Sequence, residues 1–371
     1  MASFLDYILW RGDLSFSIDA PNEVDALIFS TLSYIPFRGR AAESPEIPIP
    51  LRQAAKDYFD HPDPNGFVRT PNDLNLLKAA GESKRFGNIY VAEYKEIFIK
   101  EQDTQFAAVT FLLDDGSIFI SFRGTDNTLV GWKEDFSMCF RREIPSQKLA
   151  RQYLQDVLMD HSGPVRVSGH SKGGNIAVYA VSQSAPVIRE RVIAVYNQDG
   201  PGFSEEFLEN PGYREVLPIL HTLVPQGSII GLILYRSEPV TIVKSNQSGI
   251  MQHDPFSWEV AGKSFVTMEA LTGNAIFLQL TIENWLSGMD FDTRVRMVNM
   301  LYDLLTSGDV EVTGDVFLPK NLVTYVARLR SSETIRKYLT EDLTGLFRAA
   351  KKARLQMGKK STGPELPGTF G

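Results

Sequence analysis

Cysteine is almost absent from this chain of 371 residues, which has Cys139 and no other. One cysteine cannot form an internal disulfide framework, so a disulfide-stapled fold is excluded and a reducing compartment is indicated. Long uncharged stretches are missing too, and no run approaches the roughly 18 apolar residues of a membrane-spanning helix. The start, MASFLDYILWRGDL, lacks the basic and apolar regions of a signal peptide. We therefore expect a soluble, cytoplasmic protein.

An excess of positive charge is also lacking. The net charge is -7, which argues against nucleic acid as the general partner because binding to its backbone needs a basic surface. Hydrophobic residues at 43% and charged residues at 22% are typical of a globular protein. The exception is the segment 321–360, with ten Lys or Arg against three acidic residues. A basic helix there is either a solvated face or a weak contact with an anionic membrane surface.

The order of strand-like and helix-like segments indicates an α/β protein. The runs NIYVAEYKEIFI, FAAVTFLL and SIFISFRG are rich in β-branched and aromatic residues, and Asp115-Gly116 predicts a hairpin between the last two. The runs VRVSG, VIAVYNQDG, HTLVP and PVTIVKS follow, with helical segments between several of them. Strands that alternate with helices predict a parallel sheet covered on both faces.

The flanking regions predict a division of the chain into four parts. Helical spacing within residues 23–35 predicts a helix that Pro36 ends. From residue 263 the pattern is helical again, and the last residues have a composition typical of disorder. The predicted parts are an N-terminal helical and loop region that covers the site, an α/β core, a C-terminal helical region and a disordered tail: residues 1–84, 85–262, 263–357 and 358–371.

A candidate nucleophile lies in the run VRVSGHSKGGNIAVYA. Gly169-His170-Ser171-Lys172-Gly173 has the G-x-S-x-G form, which a chain of this length contains by chance often enough that the pattern alone decides little. Its context is more specific, since a β-branched strand precedes it and a helix-forming run follows. This is the setting of a nucleophile elbow, where small neighbours allow a sharp turn between strand and helix.

A serine nucleophile needs a base, and the chain has few histidines. They are His61, His161, His170, His221 and His253. The usual order of serine, acid and histidine in α/β hydrolases leaves His221 and His253. His253 lies in the polar segment SGIMQHDPFSW after the last predicted strand and is the favoured base, whereas His221 opens a strand-like run and is expected to be structural. His170, inside the elbow, is expected to be a turn residue beside the site.

The acid of a triad is limited to a few candidates. Asp199 is the only aspartate between Ser171 and His253, and it follows the predicted strand VIAVYNQ. Catalytic groups collect at the carboxyl ends of strands in open α/β sheets, where this carboxylate would orient the imidazole. Glu238 is the reserve candidate. The alternative for Asp199 is a purely structural role, capping the Gly-Pro-Gly turn that follows it.

The oxyanion of an acyl-transfer intermediate needs two backbone N–H donors. One is expected from the residue after the nucleophile, Lys172, and the other from a loop after an early strand, which the segment FISFRGTDNTLVGWKEDF (residues 119–136) supplies. No metal-ligand spacing or phosphate-binding loop is recognisable, so we expect neither a metal nor another cofactor.

These motifs resemble those of a known superfamily. The F-R-G-T segment, Trp132-x-x-Asp135 and the later G-H-S-x-G-G are similar to the class 3 (fungal-type) triacylglycerol lipases and their α/β-hydrolase relatives. An uncharacterised bacterial family of hydrolases in the same superfamily is more similar still, because it shares DYILWRGDLSF, NQDGPGF and QHDPFSW. The resemblance spans about residues 4–310 and implies an α/β-hydrolase fold with a mostly parallel central sheet.

The resemblance also implies roles for individual residues. Ser171 would be the nucleophile and His253 the base, and Thr125 would be the second oxyanion donor through its backbone N–H, with its hydroxyl available to help. Arg123 and Asp135 would hold the oxyanion loop.

Two positions depart from the lipase pattern. Lys172 stands where lipases have an apolar residue, which leaves its backbone donor intact. Leu223 stands before Val224-Pro225, where lipases usually have an acid, and this shifts the role of acid to Asp199.

The sequence therefore predicts a serine hydrolase that cleaves carboxylic esters, on a small-molecule or acyl-lipid substrate. Three alternatives stay open. The same residues would also serve an acyltransferase, a thioesterase or an amidase. The fold would equally serve a binding module that has lost its activity. A peripheral membrane scaffold built on the basic C-terminal segment is the third.

Overall fold

The computed structural model describes residues 2–39, 48–62, 68–126, 128–308, 310 and 318–360. Within these ranges, the centre of the protein is a sheet of eight strands that lie side by side in chain order. The strands are β1 (Ile49–Pro50), β2 (Tyr90–Ile99), β3 (Thr104–Leu112), β4 (Ile118–Phe122), β5 (Val165–His170), β6 (Val192–Gln198), β7 (Leu220–Pro225) and β8 (Val240–Val243). Each run of sequence predicted to be a strand overlaps one of β2 to β8.

The first half of the sheet is antiparallel. β1 pairs with β2, β2 with β3, and β3 with β4. The turn between β3 and β4 contains Asp115-Gly116, and Gly116 has a φ of 80°, which glycine adopts without steric cost. The hairpin predicted from this dipeptide is confirmed.

The second half of the sheet is parallel, from β4 to β8. The registers align the carboxyl ends of these strands, with Phe122 beside Gly169 and His170 beside Gln198. The residues that follow β4, β5 and β6 therefore emerge at one edge of the sheet, where functional groups collect in open α/β sheets. The predicted fold class, an α/β-hydrolase fold with a mostly parallel sheet, is confirmed.

One face of the sheet is covered by the N-terminal helices. They are α1 (Phe4–Arg11), α2 (Glu23–Leu32), α3 (Leu51–Asp60), α4 (Pro71–Glu82) and α5 (Lys84–Gly87). Apolar residues of these helices form one buried cluster with sheet residues such as Phe119 and Tyr196. A fully buried ion pair of 2.6 Å joins Arg85 to Asp25, which ties α5 to α2.

The other face carries the helices that connect the parallel strands. They are α6 (Leu129–Ser137), α7 (Pro145–Asp160), α8 (Lys172–Ser182), α9 (Pro186–Arg189), α10 (Glu205–Leu208) and α11 (Pro211–Val216). Crossovers between parallel strands are right-handed almost without exception, so strands in consecutive order send their connections to the same side. A second buried cluster forms there. The opposite face would be exposed without the N-terminal helices.

The C-terminal part of the described chain is mostly helical. A small two-stranded sheet, β9 (Val260–Ala261) and β10 (Ser264–Phe265), comes first. The helices that follow are α12 (Gly273–Ser287), α13 (Phe291–Leu305), α14 (Pro319–Ser331) and α15 (Glu333–Lys360). Residues 358–360, assigned to the tail from the sequence, belong to α15, and the rest of that tail lies outside the described residues. Within the described ranges, none of the helices combines the length and apolar composition that crossing a membrane needs.

Candidate active site

A strained turn at the end of β5 holds Ser171. This residue has φ 60° and ψ -133°, a backbone conformation that residues other than glycine rarely adopt. Its N–H donates to the carbonyl of Gln198 at 2.9 Å, and α8 begins at the next residue, Lys172. Strain of this kind persists only where the surrounding structure enforces it, and it is typical of functional positions.

The glycines on either side of the serine are required by close backbone contacts. A Cβ atom on Gly169 would lie 2.1 Å from the carbonyl carbon of Gly173, and one on Gly173 would lie 2.2 Å from the carbonyl oxygen of Phe122. Any side chain at either position would therefore push α8 away from β4 and β5. The G-x-S-x-G pattern has a steric cause in this fold, as the nucleophile elbow requires.

His253 and Asp199 are joined by a short hydrogen bond. The Nδ1 atom of His253 lies 2.6 Å from Oδ2 of Asp199, whose side chain is fully buried. The other carboxylate oxygen of Asp199 accepts a hydrogen bond of 2.5 Å from the Ser228 hydroxyl. A neutral His253 that donates from Nδ1 to this carboxylate keeps the lone pair of Nε2 free to accept a proton.

His170 and Gly124 lie next to Ser171, and the ring of His170 also contacts that of His253. The rings of His170 and His253 are 4.6 Å apart, and His170 directly precedes the serine. A Cβ atom on Gly124 would lie 3.1 Å from that of Ser171. The Ser171 side chain makes no hydrogen bond within the described part of the chain, and the residue is 9% exposed. Its hydroxyl is thus available to a reacting group.

His170 is the buried last residue of β5 and directly precedes the turn that holds Ser171. Its Nε2 atom lies 2.8 Å from the carbonyl oxygen of His253, and its Nδ1 atom lies 3.3 Å from the hydroxyl of Tyr34. A carbonyl only accepts, so Nε2 carries the proton and the tyrosine donates to Nδ1. Burial holds the pKa of His170 well below its usual range. This neutral imidazole holds the backbone of His253 in position.

His221 and Glu238, the alternatives for the base and the acid, make different contacts. The ring of His221 stacks on Tyr196 with centroids 5.0 Å apart. Glu238 accepts hydrogen bonds from Tyr213 at 2.5 Å and from Thr222 at 2.8 Å. Among the described residues, no three His, Cys, Asp or Glu side chains are grouped so as to hold a metal ion.

The loop after β4 is held by polar contacts on both of its sides. The Arg123 side chain forms an ion pair of 2.7 Å with Glu96. The backbone N–H of Arg123 donates to the carbonyl of Ala107. The hydroxyl of Thr125 donates to Oδ2 of Asp135 at 2.5 Å. That hydroxyl is engaged by a carboxylate, so the expectation that it is available to help at the oxyanion is wrong.

Burial changes the acidity of Asp135. Desolvation raises the pKa of its carboxyl from 3.8 to about 7, against the opposing effects of Lys172 and the Thr125 hydroxyl. Its Oδ1 atom is buried and makes no hydrogen bond within the described residues. Between about pH 4 and about pH 7, this carboxyl is therefore protonated in the folded protein and ionised in the unfolded chain.

This difference predicts a dependence of stability on pH. A carboxyl with a raised pKa in the folded state stabilises the protein below its unfolded pKa, and this contribution is lost as the pH rises to about 7. We expect wild type to lose about 2–4 kcal/mol of unfolding free energy across that window relative to Asp135→Asn, which cannot titrate. Urea unfolding of both proteins over the pH range measures the difference. Unfolding free energies that change in parallel with pH in the two proteins would contradict the raised pKa.

The side chain of Lys172 takes part in a buried ionic network that the sequence does not reveal. Its ammonium donates to the carbonyl oxygen of Gln105 at 2.6 Å, to Oε1 of Gln105 at 2.9 Å and to Oε2 of Glu134 at 2.8 Å. Glu134 also accepts from the N–H and the hydroxyl of Ser146. Both charged side chains are fully buried. The network ties the first turn of α8 to β3, α6 and α7.

Solved structures of lipases are among those similar to this chain. Lipase II from Rhizopus niveus is 16% identical over 47% of this chain and 72% of its own, with a TM-score of 0.35. The native Rhizomucor miehei lipase propeptide complex is 14% identical over 62% and 98%, with a TM-score of 0.34. A mutant form of MDLA from Penicillium cyclopium is 12% identical over 71% and 91%, with a TM-score of 0.37.

At these identities and TM-scores, the likeness carries no conclusion about substrate or mechanism. Among curated proteins, none matches the chain. A family model is more informative, because the model described as Mbeg1-like matches residues 80–303, more than half of the chain, and covers the elbow, Asp199 and His253. The chain belongs to the Mbeg1-like family.

Proposed function

We propose that this chain is a serine hydrolase that cleaves carboxylic esters through Ser171, His253 and Asp199. The observation that carries the proposal is the 2.6 Å contact between His253 and the buried carboxylate of Asp199, beside a serine in a strained turn. A carboxylate that fixes the imidazole tautomer and a serine on a strained strand-to-helix turn are two requirements of this chemistry.

In the first half of the reaction, the Ser171 hydroxyl oxygen attacks the carbonyl carbon of the ester. Its proton moves to Nε2 of His253, and Asp199 stabilises the imidazolium that forms. When the tetrahedral intermediate collapses, the bond from the carbonyl carbon to the alcohol oxygen breaks. The imidazolium gives its proton to that oxygen, and an acyl-enzyme remains on Ser171. In the second half, water takes the place of the serine hydroxyl and the acid is released.

The negative charge of the tetrahedral intermediate needs fixed donors. We assign this role to the backbone N–H groups of Lys172 and Thr125. Lys172 is the first residue of α8, so its N–H lies at the positive end of the helix dipole. The contacts of Arg123 with Glu96 and of Thr125 with Asp135 support the proposal, because they hold the loop in place before the substrate arrives.

Exposed apolar side chains support an acyl substrate. Trp132 and Phe136 are 44% and 40% exposed on α6, the helix that also carries Asp135. Ile250 and Met251 are 52% and 58% exposed in the short helical segment that contains His253. Large apolar groups in contact with water on the segments that carry site residues are typical of a surface that receives an apolar ligand. We propose esters with a hydrocarbon acyl chain, turned over in the cytoplasm.

The test of this proposal is covalent labelling with a fluorophosphonate probe, which reacts with activated serines. We expect wild type to be labelled, Ser171→Ala to remain unlabelled, and the exposed control Ser162→Ala to be labelled like wild type. An unlabelled wild type would favour a binding module without activity. Product analysis with a competing alcohol separates hydrolysis from acyl transfer, and thioester and amide substrates test the remaining alternatives.

A further inference from the structure

The last helix, α15, exposes a mixed apolar and basic surface. Phe347 is 74% exposed, and Leu343 and Leu355 are 46% and 61% exposed. Helical spacing of four residues places Leu343, Phe347, Lys351 and Leu355 along one side of the helix. We name this set the outer face of α15: Leu343, Phe347, Arg348, Lys351, Arg354 and Leu355.

The opposite side of α15 attaches the helix to the rest of the protein. Ala353 is fully buried, and the Asn284 amide donates to Oε1 of Gln356 at 2.8 Å. The indole N–H of Trp285 donates to the carbonyl of Asp342 at 3.2 Å. These contacts join α15 to α12. Apart from Arg348, which lines a hollow shared with α12, the residues of the outer face take no part in these contacts.

The charges of the outer face are of one sign. Its three basic side chains form no ion pair within the described part of the chain. The chain as a whole has a net charge of -7, yet residues 321–360 contain ten Lys or Arg and three acidic residues. Unpaired basic side chains on one face of a helix in an acidic protein indicate an anionic partner.

We propose that the outer face of α15 binds the surface of an anionic phospholipid bilayer. The apolar side chains would enter the boundary between headgroups and acyl chains, while the guanidinium and ammonium groups remain at the level of the lipid phosphates. Nucleic acid offers the same phosphate charge but no apolar layer for an exposed Phe347 and two leucines. The combination of both kinds of side chain favours the bilayer.

The binding face is separate from the candidate active site, so the proposal is independent of the esterase function. Its test is flotation of the full chain with two kinds of vesicle, pure phosphatidylcholine and phosphatidylcholine mixed with phosphatidylglycerol. We expect binding to the mixed vesicles only, and weaker binding as salt concentration rises.

Two variants examine the apolar and the charged contributions. Phe347→Ser is expected to weaken binding about tenfold or more, because the ring can no longer be buried. The double variant Lys351→Glu/Arg354→Glu is expected to weaken it more than about tenfold. The matched controls are Phe98→Ser, at a ring that is 52% exposed on β2, and Lys78→Glu/Lys84→Glu, at exposed lysines of α4 and α5. Both controls should bind like wild type.

Three outcomes would overturn the proposal. The first is an absence of binding to the mixed vesicles, and the second is equal binding by wild type and the α15 variants. The third is binding to double-stranded DNA that matches binding to the vesicles and does not change in Phe347→Ser, which would indicate a surface for polyanions. Circular dichroism and fluorophosphonate labelling of each variant establish that the fold and the Ser171 site are unchanged.

Discussion

Replacing Asp199 with asparagine is expected to lower kcat/KM for a carboxylic ester about 10⁴-fold while the protein stays folded. The reason lies in the second partner of this carboxylate. The Ser228 hydroxyl accepts from the N–H of Gly231 and donates to Oδ1 of Asp199, so it needs an acceptor at that position. An asparagine would place its oxygen there and turn its NH₂ group toward His253. The imidazole would then be protonated on Nε2 and unable to accept the serine proton.

Glu238→Gln is the matched control for this experiment, because it also removes one buried carboxylate. Its partners are Tyr213 and Thr222, and neither belongs to the candidate site. We expect kcat/KM to change by no more than a few-fold in this variant. Steady-state hydrolysis of a p-nitrophenyl ester measures both variants, with thermal unfolding as the check of folding. A large loss in Glu238→Gln together with a small one in Asp199→Asn would make Glu238 the acid.

The second large effect concerns stability. Glu134→Gln is expected to lower the free energy of unfolding by about 3–5 kcal/mol, because it leaves the ammonium of Lys172 buried without its counter-charge. Lys172→Met should destabilise the protein for the converse reason. The double variant Glu134→Gln/Lys172→Met is expected to recover most of the loss, because it leaves neither charge buried without its partner. Urea unfolding of the four proteins measures the coupling directly.

The control for the network is an exposed ion pair. Lys56 and Asp60 form a surface pair of 2.6 Å on α3, and Lys56→Met is expected to leave stability essentially unchanged. We also expect Glu134→Gln to lower kcat under conditions where it is fully folded, because Glu134 precedes Asp135 and contacts the side chain of Lys172. Equal stability of wild type and Glu134→Gln would contradict the structural role of the network.

The parts of this protein that are predictable from its sequence are those set by local backbone geometry. The elbow is predictable because Gly169 and Gly173 are required by close contacts of main-chain atoms. The parallel pairing of β4 to β8 is predictable because strand-like segments alternate with helical ones. The pairing of His253 with Asp199 is predictable because His221 and His253 are the two histidines after Ser171, and Asp199 is the only aspartate between Ser171 and His253.

The parts that the sequence does not reveal depend on pairs of side chains far apart along the chain. Lys172 and Glu134 are separated by 38 positions, and no local pattern indicates that their charges meet in the interior. The contact of Tyr34 with His170 spans 136 positions and depends on how α2 lies across the sheet. Thr125 and Asp135 are closer in sequence, but the hydrogen bond between their side chains depends on how the loop lies against α6.

We expect Ser171 to form a covalent acyl-enzyme with the assistance of His253. The most direct test is peptide mapping by mass spectrometry of protein quenched in acid during turnover of a p-nitrophenyl ester. We expect an acyl group on Ser171 in wild type, and little or none in His253→Gln at the same time point. An acyl group on a different residue, or ester turnover at the wild-type rate by Ser171→Ala, would contradict this expectation.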